Sequence, residues 1–138
     1  MWRGLLIAIL LAGCAQLPPS PQDLQARRFE GVSGKAVIYL IRNDPDISRQ
    51  AATVKLDDRV MGTTYPGTYL RWEVAPGQHR VAGFVSDNGE ISLATEAGKI
   101  YFIRQTVVNV HTPRSVFRAV SEQDGRMVVM RGTLINMQ

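Results

Sequence analysis

The sequence predicts an all-β fold, a small antiparallel β-sandwich of about seven or eight strands. Three observations carry this expectation. Turn signals recur at Asp57-Asp58, Pro66-Gly67, Pro76-Gly77, Asn88-Gly89 and Ala97-Gly98, about nine to twelve residues apart. The runs between them are rich in Val, Ile, Thr, Tyr and Phe, which suit a pleated, half-buried surface. No long stretch repeats apolar residues at the helical period.

Taken in order, strands are expected at Lys35–Ile41, Ala52–Asp57, Arg59–Gly62, Thr68–Val74, His79–Val85, Ile91–Thr95 and Lys99–Val110, with another at Ser115–Val120. The run "AVIYLI" is apolar throughout, which marks a central strand covered on both faces. "KIYFIRQTVVNV" is the longest run. Its Tyr101, Ile103 and Val107 alternate with Ile100, Phe102 and Val108, and it too is expected to be central. Pro76-Gly77 suits a type II turn, since proline presets φ and glycine takes the positive φ that follows. A two-residue hairpin there sets Glu73 opposite Arg80 on the wet face. It sets Trp72 opposite Val81 and Leu70 opposite Gly83 on the core face. The stretch "SEQDGRMVVMRGTLINMQ" reads two ways. Asp124-Gly125 is a hairpin signal, and a glycine within a helix costs about 1 kcal/mol relative to alanine, so local physics favours a strand. Ser121 followed by Asp124 is also a helix start.

The first residues have another character. Arg3 precedes the wholly apolar run Leu5–Ala12, which is well short of the roughly 20 residues that span a bilayer. With small residues at Ala12 and Gly13, residues 1–13 read as an export signal. "Leu11-Ala12-Gly13-Cys14" resembles the lipobox of bacterial lipoproteins. The resemblance implies cleavage before Cys14, a diacylglycerol thioether on that cysteine and acylation of the new N-terminus. Ala15, in place of an aspartate, implies the outer membrane of a Gram-negative host, with the domain in the periplasm. Cys14 is the single cysteine, so no intramolecular disulfide forms and the fold rests on an ordinary core. Residues 14–33 read as a lipidated N-terminus and Pro-rich tether; Gln16 to Gly31 alone would reach on the order of 50 Å if fully extended, and "PQDLQARRF" within it has room for a helical turn. Residues 34–138 form the sandwich domain.

Three further pieces, "VKLDDRVMGTTYPGTYLRWEVAPGQHRV", "EAGKIYFIRQ" and "VSEQDGR", in that order resemble an uncharacterised family of bacterial lipoproteins, the domain of unknown function 2846. The first two are also similar to the PEGA-type β-sandwich repeat. The matching positions are Val54, Leu56, Asp57, Asp58 and Gly62, then Pro76, Gly77, His79 and Val81, then Ala97, Gly98, Lys99, Tyr101, Phe102 and Arg104. Asp58 departs from the commoner glycine, so that turn is expected to differ. The resemblance implies an immunoglobulin-like or PEGA-like sandwich with a short C-terminal helix, and it supplies no activity.

The residues that carry chemistry are sparse. His79 adjoins the Pro76-Gly77 turn, where it is expected to donate to a loop carbonyl, and His111 lies in the loop "VHTPR". Neither has a second histidine or cysteine at ligand spacing, so no zinc site is expected. Asp57 and Asp58 read as solvated turn formers, too few in oxygen ligands for calcium. There is no phosphate-cradling glycine loop and no "G-x-S-x-G" elbow. The expectation is a non-enzyme with no metal and no cofactor beyond the lipid on Cys14. Among the clustered aromatics Tyr65, Tyr69 and Trp72, an exposed strip could stack on sugar rings, but core or half-buried packing is the preferred reading; the register sends Trp72 into the core, and Tyr69 with Arg71 is the best candidate for an exposed contact pair.

The formal net charge is +4, unevenly spread. Residues 99–138 carry six basic side chains (Lys99, Arg104, Arg114, Arg118, Arg126, Arg131) against two acidic ones (Glu122, Asp124). A cationic side could face anionic lipid or glycan, but a plain solvated surface is the preferred reading. No clustered basic run points to nucleic acid. The expected role is a membrane-anchored structural or protein-interaction module with an envelope protein partner. The alternative is a binding domain for envelope glycan or a small ligand.

Overall fold

The computed structural model describes residues 18–109 and 111–135, so the export signal and Cys14 lie outside the described residues. A short helix α1 (Pro21–Ala26) precedes eight strands: β1 (Ala36–Ile41), β2 (Ala52–Leu56), β3 (Arg59–Thr64), β4 (Thr68–Val74), β5 (Gly77–Gly83), β6 (Glu90–Thr95), β7 (Ile100–Asn109) and β8 (Pro113–Val120). Helix α2 (Glu122–Arg131) and a two-residue strand β9 (Thr133–Leu134) follow. One sheet runs β8-β7-β1-β4-β9 and the other β3-β2-β5-β6. All eight expected strands are present, and the fold is an all-β sandwich.

Burial explains the layers. Every residue of β1 is buried, as an all-apolar strand requires. Ile38, Leu40, Leu70, Trp72 and Ile103 face the second sheet and join Val54, Leu56 and Val81 in the main core. Val37, Tyr39, Ile41, Tyr69 and Phe102 face the other way, where Ala26 and Val129 of the two helices cover them. The molecule therefore has three layers: sheet, sheet and helices. Each large apolar side chain buried in these cores contributes about 1.5–3 kcal/mol.

Three expectations are corrected and one two-way reading is decided. The five-stranded sheet is mixed, because β1 pairs β7 in parallel and β4 pairs β9 in parallel. A parallel pair needs a long crossover, and here the chain from β2 to β6 supplies it between β1 and β7.

The Pro76-Gly77 hairpin does not form, since β4 and β5 belong to different sheets. Glu73 lies opposite Val37 and Trp72 opposite Ile38, while Arg80 bonds Asp58 at 2.7 Å. Trp72 and Val81 share the core across the space between sheets. Two alternating strands joined by a turn have the same pattern whether they pair side by side or arch over a core.

The strand reading of the C-terminal stretch is replaced by α2, as the family resemblance implied. The Ser121 hydroxyl accepts the Asp124 N–H at 3.1 Å, which caps one of the orphan amides of the first turn.

The tether is shorter than residues 14–33. Ser20 caps α1 through the Asp23 N–H at 3.1 Å, with Pro21 at the start of the helix. Ala26 is buried, and Phe29 and Val32 pack on the same core. Pro21, one of the prolines that suggested extended chain, instead starts a helix whose apolar face had a sheet to meet.

Asp57 and Asp58 both take positive φ, +48° and +66°, and Leu56 pairs Arg59 across them. This is a two-residue turn of the primed kind, whose twist matches the flanking strands.

Candidate functional site

The exposed pair expected from the sequence is not there. Tyr69 is fully buried, its hydroxyl donating to the Asp23 carboxylate on α1. Burial, and after it Asp23, push that hydroxyl well above the usual phenol range. Arg71 is largely buried, bonded to Glu73 at 3.0 Å and lying 5.9 Å from the Tyr39 ring centroid. The cause is the helix layer, which covers the sheet face that a two-layer sandwich would have left wet.

What stays open is an edge. Strand β9 pairs β4 only at Thr68 and Tyr69, so among the described residues Leu70–Val74 has no strand on its outer side. The Arg42 N–H donates to the Thr68 carbonyl at 3.0 Å, and the Ile135 N–H donates to the Tyr69 carbonyl at 2.9 Å. Even-numbered residues of β4 therefore bond β1. The two-residue period turns the backbone groups of Arg71 and Glu73 outward. Strand β3 is the edge of the other sheet on the same side. Between the two edges runs a groove of about 780 Å³, lined among others by Lys35, Arg59, Met61, Arg71, Trp72 and His79. Trp72 is 2% exposed, and its indole N–H has no acceptor among the described residues. A buried donor left without an acceptor is uncommon.

At one end of the groove His79 meets a carboxylate, the convergence that would favour an enzyme. Its Nε2–H donates to the Ala75 carbonyl at 2.6 Å, a loop acceptor of the expected kind. Its Nδ1 lies 2.5 Å from an Asp57 carboxylate oxygen. The other Asp57 oxygen accepts the Arg80 N–H at 2.8 Å. Both ring nitrogens are spent on protein acceptors, so the pair presents no base to the groove.

Two acceptors favour the charged ring. Burial works against that charge, but the bonds to Asp57 and Ala75 outweigh it, and the His79 pKa is raised. For Asp57 burial is likewise outweighed, here by the His79 bond and the Arg80 N–H, and its pKa is lowered. The His79 contribution is thus complete below the ordinary imidazole value of about 6.5 and is lost as pH rises through the raised folded value. The Asp57 contribution is present above the ordinary carboxylate value and lost as pH falls through the lowered one. Melting temperature should therefore decline from pH 6 to pH 9 (about the imidazole range), and His79→Gln should flatten that decline. An unchanged slope in the variant would assign the decline to other groups.

A second polar cluster lies in the interior and has no sequence signal beyond polar residues at inward positions. Arg42, Thr64, Gln105, Ser115 and Asp87 are all buried. Arg42 pairs with Asp46 at 2.6 Å and donates to the Thr64 carbonyl at 3.1 Å. The Thr64 hydroxyl donates to Gln105 at 2.7 Å, and Gln105 to Ser115 at 2.8 Å. The Ser115 hydroxyl then donates to Asp87 at 2.6 Å. Each polar group finds a partner in the chain, so the network reads as a structural cross-tie.

His111 is exposed in the bend between β7 and β8. Among the described residues no three His, Cys, Asp or Glu side chains group to hold a metal. No helix among them is long and apolar enough to cross a membrane.

A family model described as "Protein of unknown function (DUF2846)" matches residues 32–118. That span holds β1 to β7 and most of β8, and both groove edges, but neither helix. An "Uncharacterized protein" of Haemophilus influenzae (strain ATCC 51907 / DSM 11121 / KW20 / Rd) is 25% identical over 130 residues, which cover 91% of this chain and 77% of that relative.

Proposed function

Since this chain belongs to the DUF2846 family of proteins of unknown function, we propose its role from its geometry: a lipid-anchored, non-catalytic interaction module of the cell envelope, facing the periplasm of a Gram-negative host. The anchor reading rests on Leu11-Ala12-Gly13-Cys14 behind an apolar run. The interaction reading rests on one observation, the open edge of β4 beside the groove. An extended segment of an envelope protein adds there as a strand, bonding the outward backbone groups of Arg71 and Glu73. The rim of Lys35 and Arg59 favours a segment with acidic side chains. A second reading, a glycan or small ligand in the same groove, is favoured by the unpartnered Trp72 indole N–H.

Two experiments test this. Cys14→Ala should abolish labelling by a fatty-acid analogue, and labelling that persists would remove the anchor. A photo-crosslinker at Met61 in cells should capture a protein. Glu73→Pro removes an outward N–H and leaves the bonds to β1, as proline does on an edge strand. It should abolish the adduct while the domain stays folded. An unchanged adduct rules out strand addition, and a glycan adduct instead of a protein supports the second reading.

A further inference from the structure

The outward side of the helix layer carries three exposed apolar side chains among polar ones that include Gln123 and Asp124. Leu24 of α1 is 52% exposed, and Met127 and Met130 of α2 are 44% and 53% exposed. The two methionines stand three residues apart and so share one helix face, away from the buried Gly125 and Val129. Leu24 lies one turn before Arg27, whose guanidinium donates to the carbonyls of Met130 and Gly132, each at 2.8 Å. That bond ties the two helices together beside the exposed side chains. Arg28 and Arg131 are exposed next to them.

The position of the anchor says what covers this face. Helix α1 is clasped to the fold. Arg27 bonds Asp23 at 3.0 Å, Asp23 accepts the Tyr69 hydroxyl, and the Tyr39 hydroxyl donates to the Ala26 carbonyl at 2.6 Å. Ser20, the cap of α1, follows Cys14 by six residues, which span at most about 20 Å when fully extended. A lipid on Cys14 therefore holds the helix layer within that distance of the bilayer. Among the other exposed apolar side chains, the adjacent Phe84 and Val85 follow β5 in the second sheet, the layer farthest from α1.

We propose that the face formed by Leu24, Met127 and Met130 rests on the membrane, with the three side chains at the headgroup–acyl boundary and Arg28 and Arg131 among the lipid phosphates. This rests on the lipid-anchor reading. Three side chains alone hold a protein to a bilayer weakly. On an anchored chain the encounter is intramolecular, and the high effective concentration makes weak contacts count. The face then fixes orientation and turns the second sheet toward the periplasm.

The test uses the full lipidated chain in phosphatidylethanolamine–phosphatidylglycerol vesicles. Because lipid occupies Cys14, a single introduced cysteine is the one free thiol for a nitroxide. Labels in Leu24→Cys, Met127→Cys and Met130→Cys should lose accessibility to a water-soluble nickel relaxant and gain it to oxygen. A label in Val60→Cys on β3 should stay open to nickel. If all four labels report water while the protein floats with the vesicles, the membrane face is refuted and the anchor stands. If the protein carries no lipid and does not float, the anchor reading fails and this proposal with it.

Discussion

Replacing Arg42 with methionine is expected to destabilise the domain by about 3–5 kcal/mol, the usual result of removing one partner from a buried ion pair. The side chain is fully buried, and that of Asp46, its partner at 2.6 Å, is 3% exposed. Methionine fills a similar length, so the loss reports the polar groups and not a cavity. The Asp46 carboxylate would keep only neutral donors such as the Val107 N–H at 3.1 Å, and the Ser48 carbonyl would lose its donor at 2.6 Å. Urea unfolding measures the change. The double variant Arg42→Met/Asp46→Leu should lose less than the sum of the single variants, because it removes the stranded charge. A single-variant loss below about 1 kcal/mol would place the pair among weakly contributing surface bridges.

Gly125→Ala is expected to destabilise the domain although alanine is the better helix former. Helix propensity alone favours the change by about 1 kcal/mol. A Cβ at this position would lie 2.2 Å from Phe102 Cδ1, 2.3 Å from its Cγ and 2.7 Å from its Cβ. Atoms so near the base of a side chain cannot swing aside, so α2 must lift from the sheet. Overpacking of this kind costs about 1–3 kcal/mol, which outweighs propensity. Thermal unfolding should show the loss, while Gln123→Ala, at an exposed position of the same helix, should stay within about 0.5 kcal/mol. A stabilised Gly125→Ala protein would mean that the helix packs loosely.

The same glycine shows where sequence reasoning ended. Read locally, Asp124-Gly125 is a turn. Its reason for being glycine is the Phe102 ring, which is distant in sequence and became a neighbour only on folding. The hairpin at Pro76-Gly77 has the same character: the turn is real, but pairing depends on which strand meets which across the core. By period Tyr69 and Arg71 share the face opposite Trp72. Whether that face is wet depended on the helices. One sign is in the sequence itself: "AVIYLI" is apolar on both faces, and Tyr69, paired with Ile41 in the sheet, shares its cover. The groove had no local signal, because it exists only where two edges from different sheets lie together. His79 was legible as far as its loop carbonyl, but its bond to Asp57 joins residues brought together by the pairing of β2 and β5.

By itself the sequence determined the strands and the sandwich class, because the two-residue period and turn residues act through bonds between near neighbours. It also carries the lipobox-like run at Cys14, which is read as a linear string. Only the tertiary structure decided the mixed sheet, the helix layer over Tyr69 and, among the described residues, the open edge at Arg71 and Glu73. Those depend on contacts between distant segments, whose free energy belongs to the assembled layers and to no single stretch of chain.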